Sequence, residues 1–343
     1  MTIHIYCVIE AHNRESFGLP GVDGRNEVYA IACRNLAAVV SQSQIPGLAT
    51  LPKEELLRCL FTHQSIIEKV MRNYTVIPVK FGTNAGSAQE VERILDRGYD
   101  KFRAALGSMD GRIELDVAAT WNKDLVLQDV SREEEIVRFR ADIGLRPTAE
   151  DKLKLGQMVE SCLNRRKEML APEIEAALAE VAEDSCLHDT PDVAMIVNAA
   201  FLTEKAGQER FDHRLDEIDR EYEGRLNFRR VGPLPPYSFC TAAVTTAAFE
   251  EISTARHVLG LGLEATPSRI KEAYWEMSAA HHPDRYPGDP EIQERYAAIA
   301  RAYQVLNRYC SGDLCSFREE DVRVYIDVDI VRIGKTPVGT GSR

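Results

Sequence analysis

The residues able to do chemistry are few, and the most compact group is His282-Pro283-Asp284. It lies between two segments with helical spacing: Ile270, Tyr274, Met277 and His281 before it, and Ile292, Tyr296, Ile299, Tyr303 and Leu306 after it. Pro283 restricts His282 to extended geometry, and Asp284 can supply a charge-assisted hydrogen bond. Such a tripeptide is either a projecting recognition loop or a plain turn in which proline and aspartate stop one helix and start the next. His281-His282 offers two imidazoles but no third ligand at helical spacing, so no metal is expected. His63 sits in a helical pattern and reads as a hydrogen-bonded helix histidine rather than an acid or base. Glu133-Glu134-Glu135 reads as a solvated face, and Arg165-Arg166-Lys167 as helix surface. Gly82-Thr83-Asn84-Ala85-Gly86 is too short for a phosphate loop and lacks Gly-Lys-Ser/Thr. With no Gly-x-Ser-x-Gly nucleophile motif either, neither enzymatic activity nor a cofactor is expected.

The elements that must position these residues give an α+β fold class. A strand over 3–10, a turn-rich loop over 18–24 and short strands at 28–31 and 36–40 come first. A helix opened by Pro52, an edge strand or strand end at 76–82, an amphipathic helix over 88–106 and a strand over 112–121 follow. Together they make a ferredoxin-like N-terminal domain, residues 1–121. Residues 122–250 hold a long helix from Ala149 to Asp184, which Pro172 should kink or split. A strand at 193–202, a charged helix at 204–222 and a strand at 225–231 ending in a proline-rich loop complete a second, smaller α+β domain. A small all-α module, 253–312, and a C-terminal strand with a disordered tail, 313–343, finish the chain. Thr266 can cap the module's second helix, with Pro267 at its first position. Val322, Val324, Ile326, Val328 and Ile330 alternate with mostly polar residues. A strand with one apolar face must bury it; a return to the sheet of the second domain would make the helical module an insertion.

A chain of 343 residues with 44% hydrophobic and 28% charged content has room for two or three domains with real cores. Its net charge of −12 argues against binding nucleic acid or anionic membranes, which both reward basic surfaces. The longest apolar stretches, such as 193–202 and 240–249, are about half the length of a membrane span. The N-terminus lacks the basic lead and cleavage site of a signal peptide. The eight cysteines show no Cys-x-x-Cys, and only Cys310 and Cys315 lie near each other. Buried reduced thiols in a cytoplasmic protein are expected.

Residues 257–306 resemble the J-domain family, through the helix–loop–helix around His282-Pro283-Asp284, Ala273-Tyr274 before it and Ala302-Tyr303-Gln304-Val305-Leu306 near the end. The resemblance implies docking on a DnaK-type chaperone and stimulation of its ATP hydrolysis, with no catalysis by the module itself. It makes His282, Pro283 and Asp284 the loop that enters the chaperone's domain junction. Arg269 and Lys271 become the basic residues that meet an acidic chaperone surface. The pattern departs from the family in that Glu276 stands where a cation is common and the basic ending after the last helix is missing. Residues 253–310 hold seven Lys/Arg and seven Asp/Glu, so slower, less steered association is expected.

Three further segments resemble the gas vesicle accessory proteins of the GvpF/GvpL family. They are Ile5-Tyr6-Cys7-Val8-Ile9 with the Gly18-Leu19 loop; His63 followed by Val76-Ile77-Pro78-Val79-Lys80-Phe81-Gly82-Thr83; and Gly232-Pro233-Leu234-Pro235-Pro236-Tyr237-Ser238-Phe239. The resemblance implies two ferredoxin-like α/β domains with a long helical segment between them. It implies a cytoplasmic, gas vesicle associated protein that binds the small hydrophobic shell protein and other accessory proteins and limits aggregation. A shell subunit exposes apolar strand edges before it is incorporated, and an available sheet edge could protect them by strand addition. A general J-domain co-chaperone with broad clients and a minor structural component of the vesicle are the alternative expectations.

Overall fold

The computed structural model describes residues 2–43, 45, 51–144, 147–191, 193–246, 249–283, 289–310, 313–322 and 325–334. It divides into two compact units: one covers 1–243 and resumes at 329, the other spans 244–328.

The larger unit begins with β1 (Thr2–Glu10), β2 (Ser16–Pro20), β3 (Glu27–Cys33), β4 (Leu36–Ser43) and α1 (Lys53–Val70). β5 (Val76–Pro78), β6 (Asn84–Ala85), α2 (Ala88–Arg97) and α3 (Tyr99–Met109) follow. The strands form an antiparallel sheet in the order β2-β3-β4-β1-β5, with β6 also on β1. β1 is central and buried from Ile3 to Ile9, which explains its near-continuous apolar run in place of alternation. The turn-rich stretch from residue 18 begins inside β2, and the single helix expected over 88–106 is two, separated at Gly98. Glycine has the highest backbone entropy to lose in a helix.

β7 (Arg112–Trp121) does not close this first domain, as the sequence suggested. It is the first strand of the second domain, ahead of α4 (Lys123–Ser131), α5 (Glu134–Ile143), α6 (Ala149–Ala179), β8 (Asp184–Leu187), β9 (Met195–Glu204), α7 (Gln208–Glu221) and β10 (Leu226–Leu234). The sheet is antiparallel in the order β10-β7-β9-β8, so β7 supplies the opening strand of a ferredoxin-like β-α-β-β-α-β unit. Leu115, Val117, Ala119 and Trp121 share one core with Ile174, Leu178, Phe201 and Phe211. Alternation identifies a strand but not its neighbours. Pro172 does not split α6, which continues through it from a Thr148–Asp151 capping box. The helix stops at Ala179, residues 180–183 turn, and β8 begins at Asp184, where the helix was expected to end.

Ser238, in the proline-rich loop, links several parts of this unit. Its N–H donates to Glu114 Oε2 at 2.7 Å, and its hydroxyl lies 2.9 Å from Glu114 Oε1 and 3.1 Å from His188 Nε2. Its carbonyl accepts from Ile333 N at 2.9 Å. The neighbouring Tyr237 packs against the first-domain core of Tyr6, Ile9 and Ile67. Burial first, then the charge of Asp116, pushes the Glu114 carboxyl far up, so it carries its proton near neutral pH.

His63 lies in the first-domain core. Its Nε2 donates to Val79 O at 3.2 Å, leaving Nδ1 to accept from His4 Nε2 at 3.0 Å. Burial lowers His4 to about 4 and, with help from His4, lowers His63 to about 3. Both rings are therefore neutral structural groups, and the reading of His63 as a hydrogen-bonded helix histidine matches this geometry.

Within β11 (Thr241–Thr246) the chain passes into the smaller unit, which holds α8 (Phe249–Val258), β12 (Glu264–Ala265), α9 (Pro267–Ala280), α10 (Pro290–Tyr309), β13 (Cys315–Ser316) and α11 (Glu319–Val322). β12 pairs with β13. Ile252, Ala255, Ile270, Ala273, Ile299, Ala302, Leu306 and Phe317 form its core. Cys310 and Cys315 are joined in a disulfide with Cα atoms 5.6 Å apart, which corrects the expectation of reduced thiols at this pair. The strand expected to start at Val322 is shorter: Val322 ends α11, Val324 lies outside the described residues, and β14 (Ile326–Val331) pairs with β11 rather than with the second-domain sheet. β11 itself bridges to Val79 of the first domain through Ala242.

Beyond β14 the tail does reach the second domain. Arg332 pairs with Asp184 at 2.5 Å and donates to Ser185 O, and Cys186 Sγ lies 3.1 Å from Ile333 O. Gly334 has φ +123°, and a Cβ there would lie 2.6 Å from Cys186 Sγ and 2.8 Å from Leu187 O. Only glycine fits. These contacts cover the outer edge of β8. Residues 335–343, expected to be disordered, lie outside the described residues.

Two outcomes follow. Glu114→Ala leaves the Ser238 N–H buried without an acceptor and should lower stability by about 2–3 kcal/mol. Glu114→Gln, which mimics the protonated acid, should cost well under half of that in a denaturant melt; equal losses would show that the charge is needed. The folded state holds His4 and His63 below the unfolded value of 6.5, so their contribution is complete above that pH and lost as pH falls toward 4. Melting temperature should drop over this interval, and His63→Gln should flatten the drop; an unchanged slope would refute the assignment.

Candidate functional site

The J-like hairpin is built by local rules. Thr266 caps α9 by accepting from Arg269 N at 3.2 Å, with Pro267 at the first position. Asp289 caps α10, accepting from Glu291 N at 3.0 Å. The helices are held together by Ile270, Ala273, Ile299, Ala302 and Leu306 and by Tyr274 stacked on Tyr303, with centroids 4.4 Å apart and planes at 22°. His281 ends α9, its Nδ1 3.0 Å from Met277 O, and His282 and Pro283 come next, both half-buried. The His282 ring meets Tyr296 of α10 edge-on at 5.5 Å. Asp284 lies outside the described residues.

Arg269 and Lys271 are both exposed on α9, in different electrostatic settings. Arg269 is held by Glu272 at 3.4 Å and Glu276 at 3.3 Å. Lys271 makes no ion pair among the described residues. The structure thus places His282, Pro283, Arg269 and Lys271 on one hairpin, while the carboxylates that follow Arg269 by three and seven positions draw its charge away from a partner.

Other groupings are structural. Glu133 and Glu135 are not merely a solvated face: Arg166 pairs with Glu133 at 2.8 Å and Arg165 with Glu135 at 2.7 Å, tying α6 to the start of α5. Donor atoms of Glu133, Glu135 and Cys162 lie within 4.8 Å of one another, but the guanidiniums already occupy the carboxylates. Sequence reading missed the His188–Ser238–Glu114 group. Its signal was Glu114 and Asp116 two apart in an otherwise apolar strand, which puts both on one face. The residue types suggest a hydrolase, yet Ser238 is only 5% exposed and Glu114 binds the serine rather than the histidine.

Nor are three of the larger unit's sheet edges, β2, β10 and β8, open in the way strand addition would require. β2 is short, carries Gly18 at φ +62° and ends in Pro20; β10 carries Arg229 and Pro233; β8 is covered by Arg332 and Ile333. Short, bulged, charged and covered edges resist pairing. No helix among the described residues is long and apolar enough to cross a membrane.

Comparison with known proteins agrees with this division. The family model "Gas vesicle synthesis protein GvpL/GvpF" matches residues 2–241, and the DnaJ domain model matches 254–309. Gas vesicle protein F2 of Halobacterium salinarum is 23% identical over 240 residues, covering 69% of this chain and 91% of that protein. The crystal structure of gas vesicle protein GvpF from Anabaena sp. PCC7120 superposes with TM-score 0.57 at 23% identity, covering 69% of this chain and 97% of that one, and shows the shared fold. Chaperone protein DnaJ of Chlamydia trachomatis is 43% identical over 49 residues, 14% of this chain and 12% of that protein. The chain belongs to the GvpL/GvpF family of gas vesicle synthesis proteins and carries a DnaJ domain.

Proposed function

We propose that this protein is a non-enzymatic, cytoplasmic assembly factor for gas vesicles. Its two α+β domains hold the small hydrophobic shell protein or other vesicle proteins, and its DnaJ domain recruits a DnaK-type chaperone to them. The observation that carries this reading is the pairing, on one chain, of the GvpL/GvpF region with a J-type hairpin in which His282 and Pro283 directly follow α9. Tethering a recruiter beside a client site raises the effective concentration of chaperone at the client. The blunted sheet edges direct client binding to side-chain surfaces rather than to strand addition. The alternative of a general co-chaperone differs in client breadth.

Co-expression with the shell protein tests the assembly role. Removing residues 253–312 should lower the soluble shell fraction and vesicle yield, and unchanged values would exclude a contribution from the DnaJ domain. For recruitment, His282→Gln should abolish stimulation of chaperone ATP hydrolysis and leave the melting temperature within a few degrees. Failure of the unaltered protein to stimulate would reduce the hairpin to a docking element.

A further inference from the structure

The outward positions of α9 sort by charge. Lys271 stands on one flank. On the other, Arg269 is clamped by Glu272 and Glu276. Trp275 and Ala279 run between the flanks, one turn apart. The four charges on this face, two cations and two carboxylates, sum to zero, so it offers an acidic partner no net Coulomb attraction. What it does offer is the Trp275 indole, 61% exposed. That ring does not swing freely from the helix. It lies 5.5 Å from the Tyr274 ring, which in turn stacks on Tyr303 of α10 at 4.4 Å. An aromatic row running back into the hairpin braces it, and a pre-positioned ring loses little freedom when covered. α9 runs directly into His282 and Pro283, so the indole lies on the helix that carries the recruitment loop, about two turns before it.

We infer that Trp275 is the anchor by which α9 docks on a DnaK-type chaperone, apolar burial of the indole taking the part that basic side chains would otherwise play. This rests on the recruitment reading above and specifies how it is achieved. A tryptophan seated in a partner's pocket is the residue type most often found to dominate an interface, and its burial contributes independently of ionic strength. A cation-driven contact weakens as salt screens it. Docking through Trp275 is therefore nearly indifferent to salt and selects for an apolar pocket on the chaperone.

The test uses the full chain and a purified DnaK-type chaperone, measuring direct binding and the chain concentration that gives half-maximal ATPase stimulation, at low and at high salt. Trp275→Ala should raise that concentration about tenfold or more, and Trp275→Phe should recover most of the loss. Lys271→Ala and added salt should each change it by less than about threefold. The exposed position of Trp275 means the alanine variant should melt as the unaltered chain does. Trp275→Ala should lose binding itself. Normal affinity in Trp275→Ala, or larger losses from Lys271→Ala and salt, would overturn the anchor while leaving recruitment intact. Absence of both binding and stimulation by the unaltered chain would overturn recruitment and the anchor together.

Discussion

The larger unit depends on a buried carboxyl. Glu114 projects from β7 away from the Leu115–Val117 core side and receives Ser238 through both its backbone N–H and its hydroxyl. Burial and the nearby charge of Asp116 keep the acid protonated, against the two hydrogen bonds from Ser238, which by themselves favour the carboxylate. Through Ser238 that one group fixes the loop that seats Tyr237 against the first-domain core and accepts the returning tail at Ile333. Two sheets, a proline-rich loop and a chain end thereby converge on one side chain. The proline residues restrict the loop's backbone, and the hydrogen bonds select its position.

The tail shows the same economy of contact. Arg332 neutralises Asp184 and takes the carbonyl of Ser185, an outward group on the edge strand β8. An uncovered edge invites pairing with foreign strands. Because the segment that covers β8 follows the DnaJ domain in sequence, that domain is an insertion within the larger unit rather than an appendage to it.

The DnaJ domain departs electrostatically from a basic docking module, and the hairpin geometry explains how. On a helix, residues three, four and seven apart share a face. Glu272 and Glu276 therefore meet Arg269 before any partner can. Charge is cancelled within the helix, and the feature left standing out is aromatic.

Much of this was legible in the residues. The caps of α9, the strand of continuous apolar residues at β1, the long helix and the hairpin around His282 are consequences of local spacing, and local spacing is written in the chain. The class of fold and the position of the His282-Pro283-Asp284 segment follow from it. What required tertiary structure was every question of partnership. The alternation of Arg112–Trp121 fixes a strand and its buried face, but only packing against α6 and β9 assigns it to the second sheet. Glu133 looked solvated until α6 brought Arg166 across to it. Val322 looked like the start of a strand because periodicity is silent about competing local helix formation. Cys310 and Cys315 became a pair because the fold brings the C-cap of α10 and the start of β13 to a Cα separation of 5.6 Å. Side-chain identity and spacing determine which local shape a segment prefers; which distant groups desolvate together is decided by the free energy of the whole packed chain.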